Sequence, residues 1–125
     1  MNNNISNEAI NFQEKFTLFS EQWSPKVIAE MNDYQFKLVK IQGEFIWHNH
    51  KDTDEVFIVL KGNIRINFRV GHVDLKQGEM YVVKKGVEHQ PVTENEAEIL
   101  IIEPKGIVNT GNEIDSKTAE DDAWI

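Results

Sequence analysis

The spacing of hydrophobic residues changes once along the chain. Phe12, Phe16 and Phe19 stand at helical spacing and predict a short amphipathic helix or turn through Ser20, which Pro25 in Trp23-Ser24-Pro25 keeps from extending. From there the period is two. Residues 27–31 and 34–41 read as strands of a hairpin closed at Asn32-Asp33. Residues 55–60 form an apolar strand ended by Gly62. Residues 64–70 alternate strictly, with Ile64, Ile66, Phe68 and Val70 on one face and Arg65, Asn67 and Arg69 on the other. Short strands at 73–75, 80–83 and 98–103 follow, separated by turns at Gly71, Gln77-Gly78 and Lys85-Gly86 and stopped by Pro104.

Many short strands with glycine punctuation and no sustained helical period predict an all-β sandwich or barrel. The organisation read from this is a flexible N-terminus over 1–11, one β-barrel domain over 12–104 and an irregular tail over 105–125, which carries Gly106, Gly111, the acidic Glu120-Asp121-Asp122 and at most one helical turn. Trp23 and Trp124 read as exposed aromatics that close the barrel ends or a dimer interface.

Length and charge narrow the function. With 125 residues, one core and one principal site are expected. A formal net charge of −8 repels phosphate backbones and anionic membrane surfaces, so neither nucleic acid nor membrane is expected as a partner. The absence of cysteine excludes disulfides, thiolate-bound metals and thiol catalysis. The N-terminal residues lack the basic and apolar regions of a secretory signal, and no apolar run reaches the roughly 20 residues of a membrane span, which makes a cytoplasmic location the expectation.

Chemistry concentrates in His48-Asn49-His50, Glu55 and His89. On a strand, residues two apart share a face, so His48 and His50 direct both imidazoles into one cavity, with Ile46 beside them and Phe45, Trp47 and Asn49 on the other side. The polar run Lys51-Asp52-Thr53-Asp54 reverses the chain and returns Glu55 opposite the pair, while His89 follows a glycine-bearing turn at the head of another strand. Three imidazoles and a carboxylate suit one divalent ion, Zn, Mn, Fe, Ni or Cu, and leave coordination positions open. His72, beside Gly71, reads as a surface histidine, and Glu88 as a solvated charge turned away from the cavity.

The segment from Gly43 through His48, His50 and Glu55 to Gly62 resembles the first motif of the cupin superfamily, and that from Gly78 through Gly86 and His89 to Thr93 resembles the second. Lys84 and Thr93 replace the proline and asparagine of the second motif, and Gly43 lies one residue closer to His48 than usual. These departures bear on turn geometry and outer hydrogen bonds rather than on the ligands. The flanks resemble small bacterial single-domain cupins tagged mannose-6-phosphate isomerase-like, a tag that does not establish isomerase activity. The resemblance implies a single-domain, jelly-roll-like double-stranded β-helix barrel, metal ligation by His48, His50, Glu55 and His89, and a homodimer.

By alternation Ile46, Phe57, Val59 and Tyr81 are the candidate pocket wall. A mainly apolar pocket with a metal at its base suits a small oxygen-bearing molecule such as an enol, keto acid or sugar. Two enzymatic readings share that geometry: isomerase or lyase chemistry on a redox-inert ion, and dioxygenase chemistry on a redox-active one. A non-catalytic binding or sensor module is the alternative, and a structural subunit a third reading.

Overall fold

Lys26–Met31 (β1) and Tyr34–Glu44 (β2) form the expected hairpin, and Asn32 takes the tight turn with φ 56°. The computed structural model of the chain describes residues 7–125, so positions 1–6 of the expected N-terminal stretch lie outside the described residues. Five more strands follow: Glu55–Lys61 (β3), Asn63–Phe68 (β4), His72–Lys76 (β5), Met80–Val83 (β6) and His89–Pro104 (β7). Every pairing between them is antiparallel.

β7 organises the molecule. Its C-terminal half lies between β2 and β3 in a layer ordered β1-β2-β7-β3-β6, and its N-terminal end pairs with β4, which in turn pairs with β5. One long strand therefore serves both layers of the expected all-β barrel. From sequence only 98–103 reads as a strand, because Thr93 to Glu96 is polar and half or fully exposed where β7 passes from one layer to the other.

Register decides what faces inward. Ile99 and Ile101 of β7 stand opposite Val39 and Lys37 of β2 and opposite Val59 and Phe57 of β3, and residues paired in this way share a face. That face, with Trp23, Ile41, Phe45, Ile64, Ile66 and Val83, forms the barrel core. The alternate residues Leu38 and Leu100 face outward but are also buried, under Phe16 and Phe19 of the N-terminal segment and beside Ile28. Cover on both faces explains why 99–102 is continuously apolar rather than alternating.

The helix is shorter than the phenylalanine spacing predicts. Phe12–Phe16 (α1) is capped by the Asn11 side chain, which accepts from Glu14 N at 2.9 Å, and the chain leaves helical geometry after it. Phe19 is buried without being helical, and Ser20 lies outside the helix. Val70 is 94% exposed instead of facing the core, because β4 ends at Phe68, whose N–H bonds Gly71 O at 2.9 Å in the turn to β5.

The tail has no helical turn, yet it is tied down. Val27 N donates to Ala123 O at 2.7 Å and Ile125 N to Val27 O at 3.1 Å, which occupies the free edge of β1. Asn109 Nδ2 donates to Trp23 O at 2.9 Å and to Lys117 O at 2.8 Å. Trp23 itself is buried, not exposed: it takes φ 59° and stacks on Phe45 with ring centroids 4.7 Å apart. Trp124 is 49% exposed. Among the described residues no helix is long and apolar enough to cross a membrane.

Candidate metal centre

The segment carrying the first two histidines is not a regular strand. Beyond β2 its backbone bonds to the backbone of β7 are those of Phe45 N to Pro91 O at 3.0 Å and the pair that His48 and His89 exchange at 3.1 and 2.9 Å. Three steps along this segment, Phe45 to His48, are thus spanned by two along β7, Pro91 to His89. The extra residue is a bulge, and it resets the alternation. Phe45 and His48 consequently both face the interior, with rings in edge contact at 5.2 Å, whereas strict alternation had put Phe45 outside and Ile46 inside. Ile46 is half-buried, and its backbone rather than its side chain serves the site.

Each histidine ring is aimed from behind. His48 Nδ1 lies 3.0 Å from Ile46 O and His89 Nδ1 lies 2.9 Å from Val87 O. A carbonyl only accepts, so Nδ1 carries the hydrogen in both rings and the Nε2 lone pair is left for another partner. His50 is held through its backbone, where Gly86 N donates to His50 O at 2.9 Å. Glu55 begins β3 opposite Val83, and Lys85 N donates to Asp54 Oδ1 at 2.9 Å across the same turn, fixing the strand's start.

The result brings His48, His50, Glu55 and His89 together, all buried, with one ligand atom from each lying within 4.8 Å of the others. Glu55 Oε1 is 3.4 Å from both His50 Nε2 and His89 Nε2. None of these three atoms has a hydrogen-bond partner. Buried polar atoms are rarely left so, and a convergent set of them is what a bound cation satisfies. The donor set, three imidazole nitrogens and a carboxylate, fits a first-row divalent ion.

The electrostatics of His48 and Glu55 suit that fit, whereas His50 without an ion is held toward its charged form by Glu55. Burial, reinforced by the neighbouring His89, lowers His48 to about 4 and keeps it a neutral donor. Burial also opposes charge on His50, but the adjacent Glu55 carboxylate outweighs it and raises that group. Burial alone would raise Glu55, but His50 and His89 hold it well below the usual carboxylate range. The Glu55 carboxylate is therefore ionised.

Beside the group lies a small cavity of about 30 Å³, lined by His48 and Glu55 and walled by Trp23, Phe45, Phe57 and Ile101. By volume it holds about two waters. Of the residues expected in the pocket wall, Phe57 lines this cavity; Ile46, Val59 and Tyr81 do not. Val59 is fully buried in the core beyond it, and Tyr81, opposite Phe57 on the edge strand β6, is 38% exposed against Phe68. A larger groove of about 650 Å³ around Gly43, Gly62, Arg65 and Asp74 shares no residue with the ligand group.

The cavity also holds a group that the pattern of histidines did not suggest. Glu103, 2% exposed, lines it, with Oε2 accepting from Lys37 Nζ at 2.8 Å and Oε1 without a partner. Lys37 donates a second bond to Ile107 O at 3.3 Å. Burial, and then the charge of Glu55, push Glu103 up to about 8 against the pull of Lys37. Outside the cavity, Glu88 pairs with Arg69 at 3.2 Å, and His72 is an exposed neighbour of Asp74 at 3.6 Å.

Comparison with known proteins follows the same lines. The Cupin domain family matches residues 36–103. An uncharacterized protein of Bacillus subtilis (strain 168), YdbB, is 34% identical over 110 residues, which are 79% of this chain and 88% of the relative. The crystal structure of a cupin-2 domain containing protein from Shewanella frigidimarina NCIMB 400 is 63% identical, covers 76% of this chain and 93% of its own, and superposes with a TM-score of 0.75. Protein NMB1881 from Neisseria meningitidis is 34% identical over 78% of this chain and 99% of its own, with a TM-score of 0.71. With its antiparallel barrel and its histidine and glutamate group at the two motif positions, the chain belongs to the cupin family.

Proposed function

We propose that this cupin is a metal-dependent enzyme that acts on a small oxygen-bearing organic molecule at the centre formed by His48, His50, Glu55 and His89. The observation that carries this reading is the convergence of three unpartnered buried donor atoms beside a mainly apolar cavity that contains one further carboxylate. A divalent ion held there supplies Lewis acidity and, if redox-active, a means of bringing substrate and dioxygen together.

The chain's own residues divide the remaining work. Ile46 O and Val87 O fix two ligand rings in one tautomer, so the site is organised before anything binds. Phe45, Phe57 and Ile101 exclude water from the substrate's apolar part. Dioxygenase and isomerase types both use this arrangement. A sugar phosphate, which the isomerase-like tag suggests, is disfavoured: no cationic side chain lines the cavity, and Lys37 behind it is already bound to Glu103.

The test follows oxygen uptake and product formation by the protein loaded separately with Mn, Fe, Ni, Cu or Zn, over a panel of enols, hydroxyketones, keto acids and sugar phosphates. Turnover that is lost in Glu55→Ala supports the enzyme. Tight binding without turnover across the panel contradicts it and favours a sensor.

A further inference from the structure

The metal centre is closed to organic molecules. His48, His50, Glu55 and His89 are at most 6% exposed, and the cavity of about 30 Å³ beside them holds about two waters. Most of its lining belongs to β2, β3, β7 and the ligand-bearing segment after β2; the exceptions are Trp23 and Pro25, before β1, and Asn109 of the tail. Asn109 joins these pieces, since its Nδ2 donates to Trp23 O at 2.9 Å. The tail around it is a loop held together by its own groups. Asn109 Nδ2 also donates to Lys117 O at 2.8 Å and its Oδ1 accepts from Ala119 N at 2.8 Å, while the buried Thr110 hydroxyl bonds Glu113 O and the Thr118 hydroxyl, each at 2.8 Å. Attachment to the barrel is sparse by comparison. Among the described residues, 107–119 is hydrogen-bonded to the rest of the chain by Asn109 to Trp23 O and by Lys37 Nζ to Ile107 O at 3.3 Å, with Gly111 packed against Asn49 O. The chain is pinned on both sides of the loop, where Lys105 N donates to Asp33 O at 2.8 Å and Val27 N to Ala123 O at 2.7 Å.

We propose that the loop 107–119 is a lid over the metal cavity, latched by Asn109 on Trp23 O, and that a substrate reaches the ion while the latch is open. Its purpose rests on the metal reading above, and it supplies what that reading needs, a route into a cavity too small for its substrate. A unit with many bonds inside and few outside moves as one body and opens far more readily than the barrel unfolds. Gly106, with φ 89°, gives the lid a hinge at its first end. Opening leaves little unsatisfied, because Trp23 O and Ile107 O are carbonyls that take water in place of their lost donors. Lifting the lid removes Asn109 from the lining and widens the cavity beside His48 and Glu55.

The experiment uses introduced thiols, because the chain has no cysteine of its own. Ile101→Cys places one in the cavity wall, and Ile66→Cys places one in the barrel core outside the cavity lining. Both positions are buried, at 6% and 0% exposed. Reaction with dithiodipyridine is followed in the whole chain without metal, so that no ion competes for the thiol. The thiol at position 101 is expected to react about a hundredfold or more faster than that at 66. Adding Asn109→Ala should speed the reaction at 101 about tenfold and leave that at 66 within about threefold. Equal rates at the two positions overturn the lid, because access then requires unfolding of the barrel. Reaction at 101 as fast as a free thiol overturns it too, since the cavity would already be open. Asn109→Ala acting on both positions alike, or on neither, removes the latch. A second measurement, which needs no thiol, ties the lid to the centre. Cobalt(II)-loaded protein should bind acetohydroxamate, read from the cobalt absorption bands, at a rate that levels off at high probe concentration, with a higher plateau in Asn109→Ala. A rate that climbs linearly throughout, or no binding, contradicts gating. Failure to take up cobalt sinks the metal reading instead, and the thiol rates still decide the lid.

Discussion

Gly111 of the tail lies against the backbone carbonyl oxygen of Asn49, the residue between the first two histidines. A Cβ built on Gly111 collides with that oxygen, and the residue takes φ 64°. Both facts require glycine, and together they make the tail a brace for the segment that carries His48 and His50. Gly111→Ala is expected to cost about 1–3 kcal/mol of stability and to weaken metal binding as well. Chemical denaturation and a metal titration of the same variant check the two parts. Unchanged metal affinity in a destabilised protein would show that the tail braces the fold without bracing the site.

Lys37 and Glu103 form an ion pair of 2.8 Å with side chains 2% and 3% exposed. Removing Glu103 strands the buried Lys37 ammonium. Glu103→Leu should therefore destabilise by about 3–5 kcal/mol, whereas the double replacement Lys37→Met with Glu103→Leu should cost markedly less than the sum of the single ones. A double-mutant cycle in urea measures this, and additivity would contradict it.

Arg69 clips the two ligand-bearing segments together from outside. Its guanidinium carbon lies 3.9 Å from the Trp47 ring centroid and its Nε 3.2 Å from Glu88 Oε1, and those residues immediately precede His48 and His89. Both contacts are surface interactions, worth together about 1 kcal/mol. Arg69→Ala is expected to lower the melting temperature by a few degrees and to weaken metal binding a few-fold while leaving metal stoichiometry unchanged. A variant indistinguishable from the unmodified protein in both measurements would remove Arg69 from the account.

Much of this was legible in the sequence, for definite reasons. β4 and β5 announced themselves because one face is buried and the other wet, so that Ile64 and Ile66 alternate with Arg65 and Asn67. The spacing of His48, His50 and Glu55 around a polar turn carried the candidate ligands. What alternation could not supply was its own interruption. The bulge between Phe45 and His48 leaves no mark in hydrophobicity, and it brought Phe45 inward in place of Ile46. Trp23 is buried by stacking on Phe45 within the barrel core, a long-range contact that no local pattern encodes.

Glu103 and Lys37 were overlooked for a different reason. Charged residues near strand ends are normally solvated. Yet Glu103 continues the inward series Ile99, Ile101, and Lys37 the series Val39, Ile41, on two strands that stand in register. A charge in phase with a buried face, matched by an opposite charge in phase on a second strand, is the signal that could have found the pair.

His48, His50, Glu55 and His89 are proposed to hold one divalent ion. Elemental analysis of protein purified without chelator, beside His48→Ala and His89→Ala, tests it most directly. About one metal per chain is expected in the unmodified protein, with loss of that metal in both variants and a melting temperature that falls when the ion is stripped and recovers when it is restored. Metal-free protein whose melting is unmoved by added Mn, Fe, Ni, Cu or Zn would contradict it.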